Sequence, residues 1–429
     1  MRDALRPSSE SFADAYRGKI LPLRQRAEVK NRWLKRRLET VLPEIMKREA
    51  FDMWIVVSRE YNEDPVIMTL LPDPMMYARR RTILVFHLKE DGSLERLVLS
   101  RYDIKDFYEG VWDPDKEEQY DCLARVVNER DPKSIGINVS ETFGFGDGLT
   151  HGEYSLMVAV LGDVYTARTR SAERLAVGWL ERRTKEEIDA YPGIVEITHA
   201  IVAEAFSSRV IHPGITTTDD VVWWMRQKML DLGLRAWFQP SVDIQAPDQK
   251  YDKEDKRKLI QPGDLLHCDI GFYYLGLATD IQQNAYVLKA GESDAPGGLK
   301  AALADANKLQ DIHVEAMVAG RTGNQILKTA LKKARQESIN ATIYTHPLGY
   351  HGHAAGPTIG LWDRQEGVPG RGDYELFEDT CYAIELNAKR EVPEWEGQEV
   401  RMSLEQDAIF TGGKLYFLAG RQTELYLVR

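Results

Sequence analysis

The chain has 429 residues, 43% of them apolar and 29% charged, with a formal net charge of −11. That length holds two or three domains with a sizeable core, and the acidic balance excludes the basic footprint of a nucleic-acid binder. Three cysteines, Cys122, Cys268 and Cys381, make no disulfide framework and suit a reducing compartment. No apolar run reaches the roughly 18 residues of a membrane span. The opening, MRDALRPSSESF, lacks a hydrophobic signal core. The expected location is therefore the cytoplasm, with an exported form whose signal has been removed as the alternative.

In chain order, a helical pattern covers about 24–49, with Pro43 as its break. The basic stretch inside it, EVKNRWLKRRLE (28–39), reads as the solvated face of an amphipathic helix. Apolar, β-rich runs follow at 53–58, 81–88, 96–100 and 134–140, with helical stretches near 116–129 and 152–161. FGFGDG (143–148) has glycines at phosphate-loop-like spacing. It lacks the Lys-Ser/Thr of a P-loop and the full dinucleotide fingerprint, so it reads as a turn. These elements make residues 1–177 an N-terminal α/β domain. The basic stretch 167–183 leads into a second domain, 178–429, whose first helix opens on a Thr184–Glu187 capping box and is interrupted by Pro192.

That second domain carries a weak internal repeat. Gly214 and Thr216 precede a helix; Gly320 and Thr322 precede another, 106 positions later. Each lead-in follows a helical segment (184–208, 299–318) and is followed by strand-like hairpins (236–289, 340–411). Helices on one face of an antiparallel sheet form an α+β layer, and two such halves leave a cleft where their sheets meet.

HCDIGFYYLGLATDI (267–281) sets two aspartates in an apolar run. Tyr274, Leu275 and Gly276 read as a hairpin turn, and ten residues separate Asp269 from Asp280. An even loop would place them directly opposite, with Cβ atoms about 4.5–5.5 Å apart. Two buried carboxylates that close repel, and they require a proton or a cation between them. Further donors lie downstream. THPLGYHGHAAGPTIG (345–360) holds His346, His351 and His353; Glu385 sits in the apolar run CYAIELNA; Glu405 follows in VRMSLEQDAIF. A carboxylate in an apolar strand needs a partner.

The order Asp-x10-Asp, then His in Gly-His-x-x-Gly, then Glu in an apolar strand, then a last Glu resembles the pita-bread metallopeptidases: methionine aminopeptidase, aminopeptidase P and prolidase, with creatinase as a metal-free relative. The separations are 11, 73, 32 and 20 residues for 269–280–353–385–405. The resemblance covers about 178–429, and the first domain is more loosely similar to the extra α/β domain of the two-domain members. It implies two αβ halves around a curved antiparallel sheet, with Asp269 on one metal, Asp280 and Glu405 bridging two, and His353 and Glu385 on the second. Glu385 is the implied proton shuttle. Four carboxylates and one imidazole form a hard site that favours Mn²⁺, with Fe²⁺, Co²⁺ or Zn²⁺ possible. The implied reaction is hydrolysis of the bond before proline in a short peptide by a metal-bridging hydroxide, as in an Xaa-Pro aminopeptidase or dipeptidase. A homodimer is implied as well.

The sequence departs from that pattern in three places. The family's histidine seven residues after the metal histidine becomes Gly360, counting from His353. The histidine upstream of the first aspartate is missing from WFQPSVDIQAPDQKYDKEDKRKL (237–259), and Thr-Arg-Thr near the second aspartate is replaced by Gln282, Gln283 and Asn284. His346 and His351 are the candidates to take over substrate contact; on a strand-like stretch His351 and His353 share a face. Arg401 is the candidate for a substrate carboxylate, and 248–257 for a flap beside the site. The departures keep two other readings open: a metal-dependent hydrolase or lyase acting on a non-peptide small molecule, and a non-catalytic binding protein.

Overall fold

The computed structural model describes residues 13–247 and 258–429, so the expected flap at 248–257 lies outside the described residues. The chain divides into two compact units. One is Pro22–Thr184; the other is Lys185–Arg429 together with the segment that ends at Leu21.

In the first unit the long amphipathic pattern forms two helices, Leu23–Glu39 and Val41–Arg48. The break falls at Thr40, not at Pro43. Pro43 lies in the first turn of the second helix, where a residue without an N–H costs no intrahelical hydrogen bond. The apolar runs become a mixed six-stranded sheet in the order Glu109–Gly110, Leu94–Val98, Arg81–Leu88, Met53–Arg59, Ile135–Ile137, Thr169–Ser171. Met53, Ile55 and Val57 alternate onto one face and pack with Leu123, Val126 and Met157 of the covering helices. Trp54 points the other way, against Phe86, and its Nε1 donates to Asn138 Oδ1 at 2.8 Å. FGFGDG is a short 3₁₀ turn, Gly144–Gly146.

Glu181 ends the helix Glu173–Glu181 fully buried, and burial pushes its carboxyl up to about 8. The folded state thus holds this proton more tightly than the unfolded chain, whose carboxyl ionises near its ordinary 4.5. Between those values the folded state binds more protons, so stability falls as pH rises from about 5 to 8. Glu181→Gln should raise Tm at pH 8, by a stabilisation on the order of a few kcal/mol, and leave it nearly unchanged at pH 5. Melting curves at the two pH values check this; equal effects at both would contradict it.

In the second unit, helix Lys185–Ala205 runs through Pro192, held by a buried face that includes Tyr191, Ile194, Ile197 and Ile201. Helices Thr218–Asp231 and Gly323–Gln336 both open on capping boxes, Thr217 with Asp220 and Thr322 with Gln325. The first cap is Thr217, the residue after the Gly214–Thr216 lead-in. Thr216 instead accepts from the His212 amide at 2.9 Å. Two sheets follow the first helix pair: Tyr426–Val428, Ile281–Val287, Leu265–Ile270, Ser241–Gln245; and Leu277–Ala278, Phe272–Tyr274, Arg235–Ala236. Two follow the second pair: Asn340–Ile343, Leu386–Val392, Gln398–Leu404; and His346–Leu348, Thr380–Ala383, Asp407–Thr411, Lys414–Phe417. Every pairing is antiparallel except Ile281–Val287 with Tyr426–Val428. Helix Gly297–Ala316 lays Leu299, Leu303 and Leu309 onto Leu386, Val400 and Leu404 in the unit's main core. No helix among the described residues is long and apolar enough to cross a membrane.

Candidate metal centre

The chain brings its carboxylates together by changing sheets. Thr380–Ala383 belongs to one sheet and Leu386–Val392 to another, so Ile384 and Glu385 form the crossing. Glu405 and Gln406 make the reverse crossing between Gln398–Leu404 and Asp407–Thr411. Asp280 stands just before Ile281–Val287. At such a junction one residue leaves the ladder, and its side chain can enter the crease between the sheets.

Asp269 and Asp280 do not oppose each other. The turn residues are Leu275 (φ 55°) and Gly276 (φ 82°), both left-handed, as a two-residue type I′ loop requires. The register is then Tyr274 with Leu277, Ile270 with Ile281, and Asp269 with Gln282. Asp280 becomes the diagonal neighbour of Asp269 on the same face. Their oxygens still converge: Asp269, Asp280 and Glu405 each place one oxygen within 4.8 Å of the others.

Two further sets meet that condition: His346 with Glu385 and Glu405, and Asp280 with His346 and His353. His346 begins a strand opposite Ala383, and its Nε2 lies 3.4 Å from both Asp280 Oδ2 and Glu405 Oε1. Burial and mutual repulsion hold the Asp269, Asp280 and Glu385 carboxyls well above the usual range. Burial works against charge on His346, but the neighbouring Glu405 and Glu385 raise it above its ordinary value. Asp269 Oδ1, Glu405 Oε1 and His346 Nε2 are buried without a hydrogen-bond partner among the described residues. Converging lone pairs of this kind fit a divalent cation, which would relieve both the repulsion and the unmet polar atoms.

The family model of metallopeptidase family M24 matches residues 193–411, just over half of the chain. The chain belongs to metallopeptidase family M24. No curated protein matches it. Among solved structures, an X-Pro aminopeptidase from Thermotoga maritima MSB8 is similar at 16% identity and TM-score 0.64, covering 90% of this chain and 100% of that one. An Xaa-Pro dipeptidase from Bacillus anthracis is similar at 16% and 0.56, covering 94% and 99%. A prolidase from Pyrococcus furiosus is similar at 15% and 0.56, covering 88% and 98%. At these identities the likeness shows the fold, the two-domain M24 pita-bread arrangement.

Within the M24 fold His346 enters two of the three metal-capable groups, and His353, the candidate from sequence context, enters one. His346 is buried in the cluster; His353 is solvent-accessible, its ring edge-on to His346 with centroids 4.7 Å apart. Gly349 stands three residues after His346, and His353 stands seven after it. The pocket's desolvation, then His346 and Arg371, lower His353 to about 4, so it is neutral near pH 7. His351 and His353 lie in a bend, not on a strand, and His351 joins none of the three metal-capable groups among the described residues. Arg401 sits four residues before Glu405, roughly 13 Å along an extended strand; its backbone exchanges hydrogen bonds with the Gln245 amide at 2.8 and 3.0 Å. Cys268 and Cys381 are buried thiols.

Four neighbours of the cluster were given no role in the sequence analysis, Gln282 having entered there only as a departure from the family pattern. Asp407 accepts from the Asp280 amide with both oxygens at 3.2 Å, and burial raises its carboxyl. Gln282 donates to Glu385 and Glu405. Tyr344 lies 5.4 Å, ring to ring, from His346. Trp237 packs 5.2 Å from His353, donates to Thr279 O at 2.9 Å, and lies where a Cβ on Gly352 would have to go. The signal in sequence was slight: a carboxylate at the head of DAIF, and an aromatic pair, Trp237–Phe238, where the family has a histidine nearby.

Proposed function

We propose that this M24 protein is a dinuclear metallopeptidase of the Xaa-Pro aminopeptidase or dipeptidase type, with Mn²⁺ as the preferred metal. The observation that carries the reading is the convergence of Asp269, Asp280, Glu385, Glu405 and His346 on one crease with unmet lone pairs. Asp269 would hold one ion, Asp280 and Glu405 both, and His346 and Glu385 the second. His353, given the metal role by its Gly-His-x-x-Gly context, becomes the substrate-facing histidine seven residues on. Two bound ions supply Lewis acidity at the scissile carbonyl and a water of lowered pKa.

The chain's own residues do the rest. Glu385 is fixed at Oε1 by Gln282 at 2.9 Å, which leaves Oε2 to carry a proton from water to the leaving amine. Neutral His353 offers its ring to the carbonyl that is being polarised. The Trp237–Phe238 pair, with ring centroids 4.4 Å apart, gives a proline ring an apolar wall. Arg371, whose charge reaches both His353 and Tyr344, joins Arg401 as a candidate cation for a substrate carboxylate.

The Mn²⁺-loaded protein should cleave Xaa-Pro peptides before proline and, as a homodimer, scatter light at twice the chain mass. Full metal occupancy without cleavage of any Xaa-Pro peptide would favour the second reading, a hydrolase or lyase of a non-peptide small molecule on the same scaffold. Gln282, Gln283 and Asn284, which replace Thr-Arg-Thr, motivate that reading.

A further inference from the structure

The M24 pattern has threonine where this chain has Gln282, and the longer side chain reaches three partners. Gln282 Nε2 donates to Glu385 Oε1 at 2.9 Å and to Glu405 Oε2 at 2.8 Å. Its Oε1 meets His267 Nε2 at 2.9 Å. The Gln282 backbone also pairs with Glu405: its N–H donates at 3.1 Å, and its carbonyl accepts from the Glu405 amide at 3.3 Å. One residue therefore fixes both the main chain and the carboxylate at the second sheet crossing.

The partners of these atoms decide which oxygens remain free. Glu405 Oε2 is held, while Oε1 has no hydrogen-bond partner and lies 3.4 Å from His346 Nε2. Glu385 is held at Oε1 in the same way. A carboxamide suits this task because it presents two N–H donors without a charge. A lysine there would neutralise the carboxylates and compete with a cation for them. His267 stands two residues before Asp269 on the neighbouring strand, opposite Asn284 and diagonal to Gln282, so it faces the same side. If His267 Nε2–H donates to the Gln282 oxygen, the amide cannot flip, and its nitrogen must face the carboxylates.

We propose that Gln282, anchored by His267, is a positioning residue that orients the Glu385 and Glu405 carboxylates for divalent-metal binding. It rests on the metallopeptidase reading of the same site. Ligand-orienting partners of this kind are worth about 10–100-fold in metal affinity.

The test is calorimetric titration of the intact, metal-stripped protein with Mn²⁺. Gln282→Met keeps the length and removes both donors; its affinity should fall about 10–100-fold, and the visible spectrum of its Co²⁺ form should shift as the carboxylates reorient. His267→Leu should weaken binding by a smaller factor, and His267→Gln, which restores a donor, should recover it. The His267 pair decides the matter if Gln282→Met does not fold. Wild-type binding with Gln282→Met and His267→Leu both within about twofold of it overturns the clamp and leaves the metallopeptidase reading intact. A wild-type protein that takes up no divalent metal overturns both.

Discussion

Alanine at Asp280 or at His346 is expected to leave the purified protein with less than about a tenth of the wild-type metal, because a direct ligand should count for at least as much as the partners that orient it. Alanine at His353 should keep the metal and lower Xaa-Pro turnover, by about 10²–10³-fold if the ring stabilises charge developing on the substrate oxygen. The contrast follows from position. His346 is buried, 3.4 Å from two carboxylates, and has an unpartnered Nε2. His353 shares one metal-capable group with Asp280 and His346 but is accessible, between His346 and the Trp237 indole. Removing His346 takes away a nitrogen that lies 3.4 Å from both Asp280 and Glu405. Removing His353 leaves every carboxylate where it was. Elemental analysis of the three variants, beside kcat on an Xaa-Pro peptide, separates the roles. Metal lost from His353→Ala but retained by His346→Ala would reinstate the assignment by sequence context.

The same pair of histidines shows what a sequence can and cannot carry. The carboxylates were legible because each is an acidic residue inside an apolar run, a placement that burial makes costly without a partner. Their order along the chain pointed to one family, and that family's fold is the one observed. The histidine was not legible in the same way. His353 has glycine before it and glycine three after; His346 has only the second, Gly349. The preference for His346 in the proposed reading comes from the pairing of His346–Leu348 with Thr380–Ala383, a contact between segments more than thirty residues apart. The Asp269 register failed for a local reason. Two successive left-handed residues, Leu275 and Gly276, moved the turn along by one, and with it every cross-strand partner. Gln282 was visible only as a departure from pattern, since a neutral amide in a strand carries no signal until both of its carboxylates are in place. Arg401 was proposed from its nearness in sequence to Glu405; on an extended strand four residues span roughly 13 Å, so sequence nearness alone does not fix which group its side chain serves.

Gly360→His is expected to unfold the protein more easily and to gain no activity, although a count from His353 puts the family's histidine at this position. Gly360 has φ +74°, and a Cβ there would overlap the Ile343 carbonyl oxygen and press on Leu327. The neighbouring hydrogen bonds leave the backbone little freedom to retreat: Ile359 N–H donates to Thr345 O at 2.8 Å, and Thr345 N–H donates back at 3.0 Å. A left-handed conformation costs a non-glycine residue about 1–2 kcal/mol, and forcing atoms into a packed core costs about 1–3 kcal/mol. Together these come to about 3 kcal/mol, or a fall in Tm of roughly 6–12 °C for a unit of this size. Gly360→Ala should move Tm the same way by less, since it adds the Cβ without the ring. The backbone at 360 therefore has no room for a histidine side chain, and in the proposed reading the substrate-facing role goes to the accessible ring at His353, which is seven residues from His346. A Gly360→His protein with wild-type Tm and faster Xaa-Pro hydrolysis would show that the count from His353 was the right one after all.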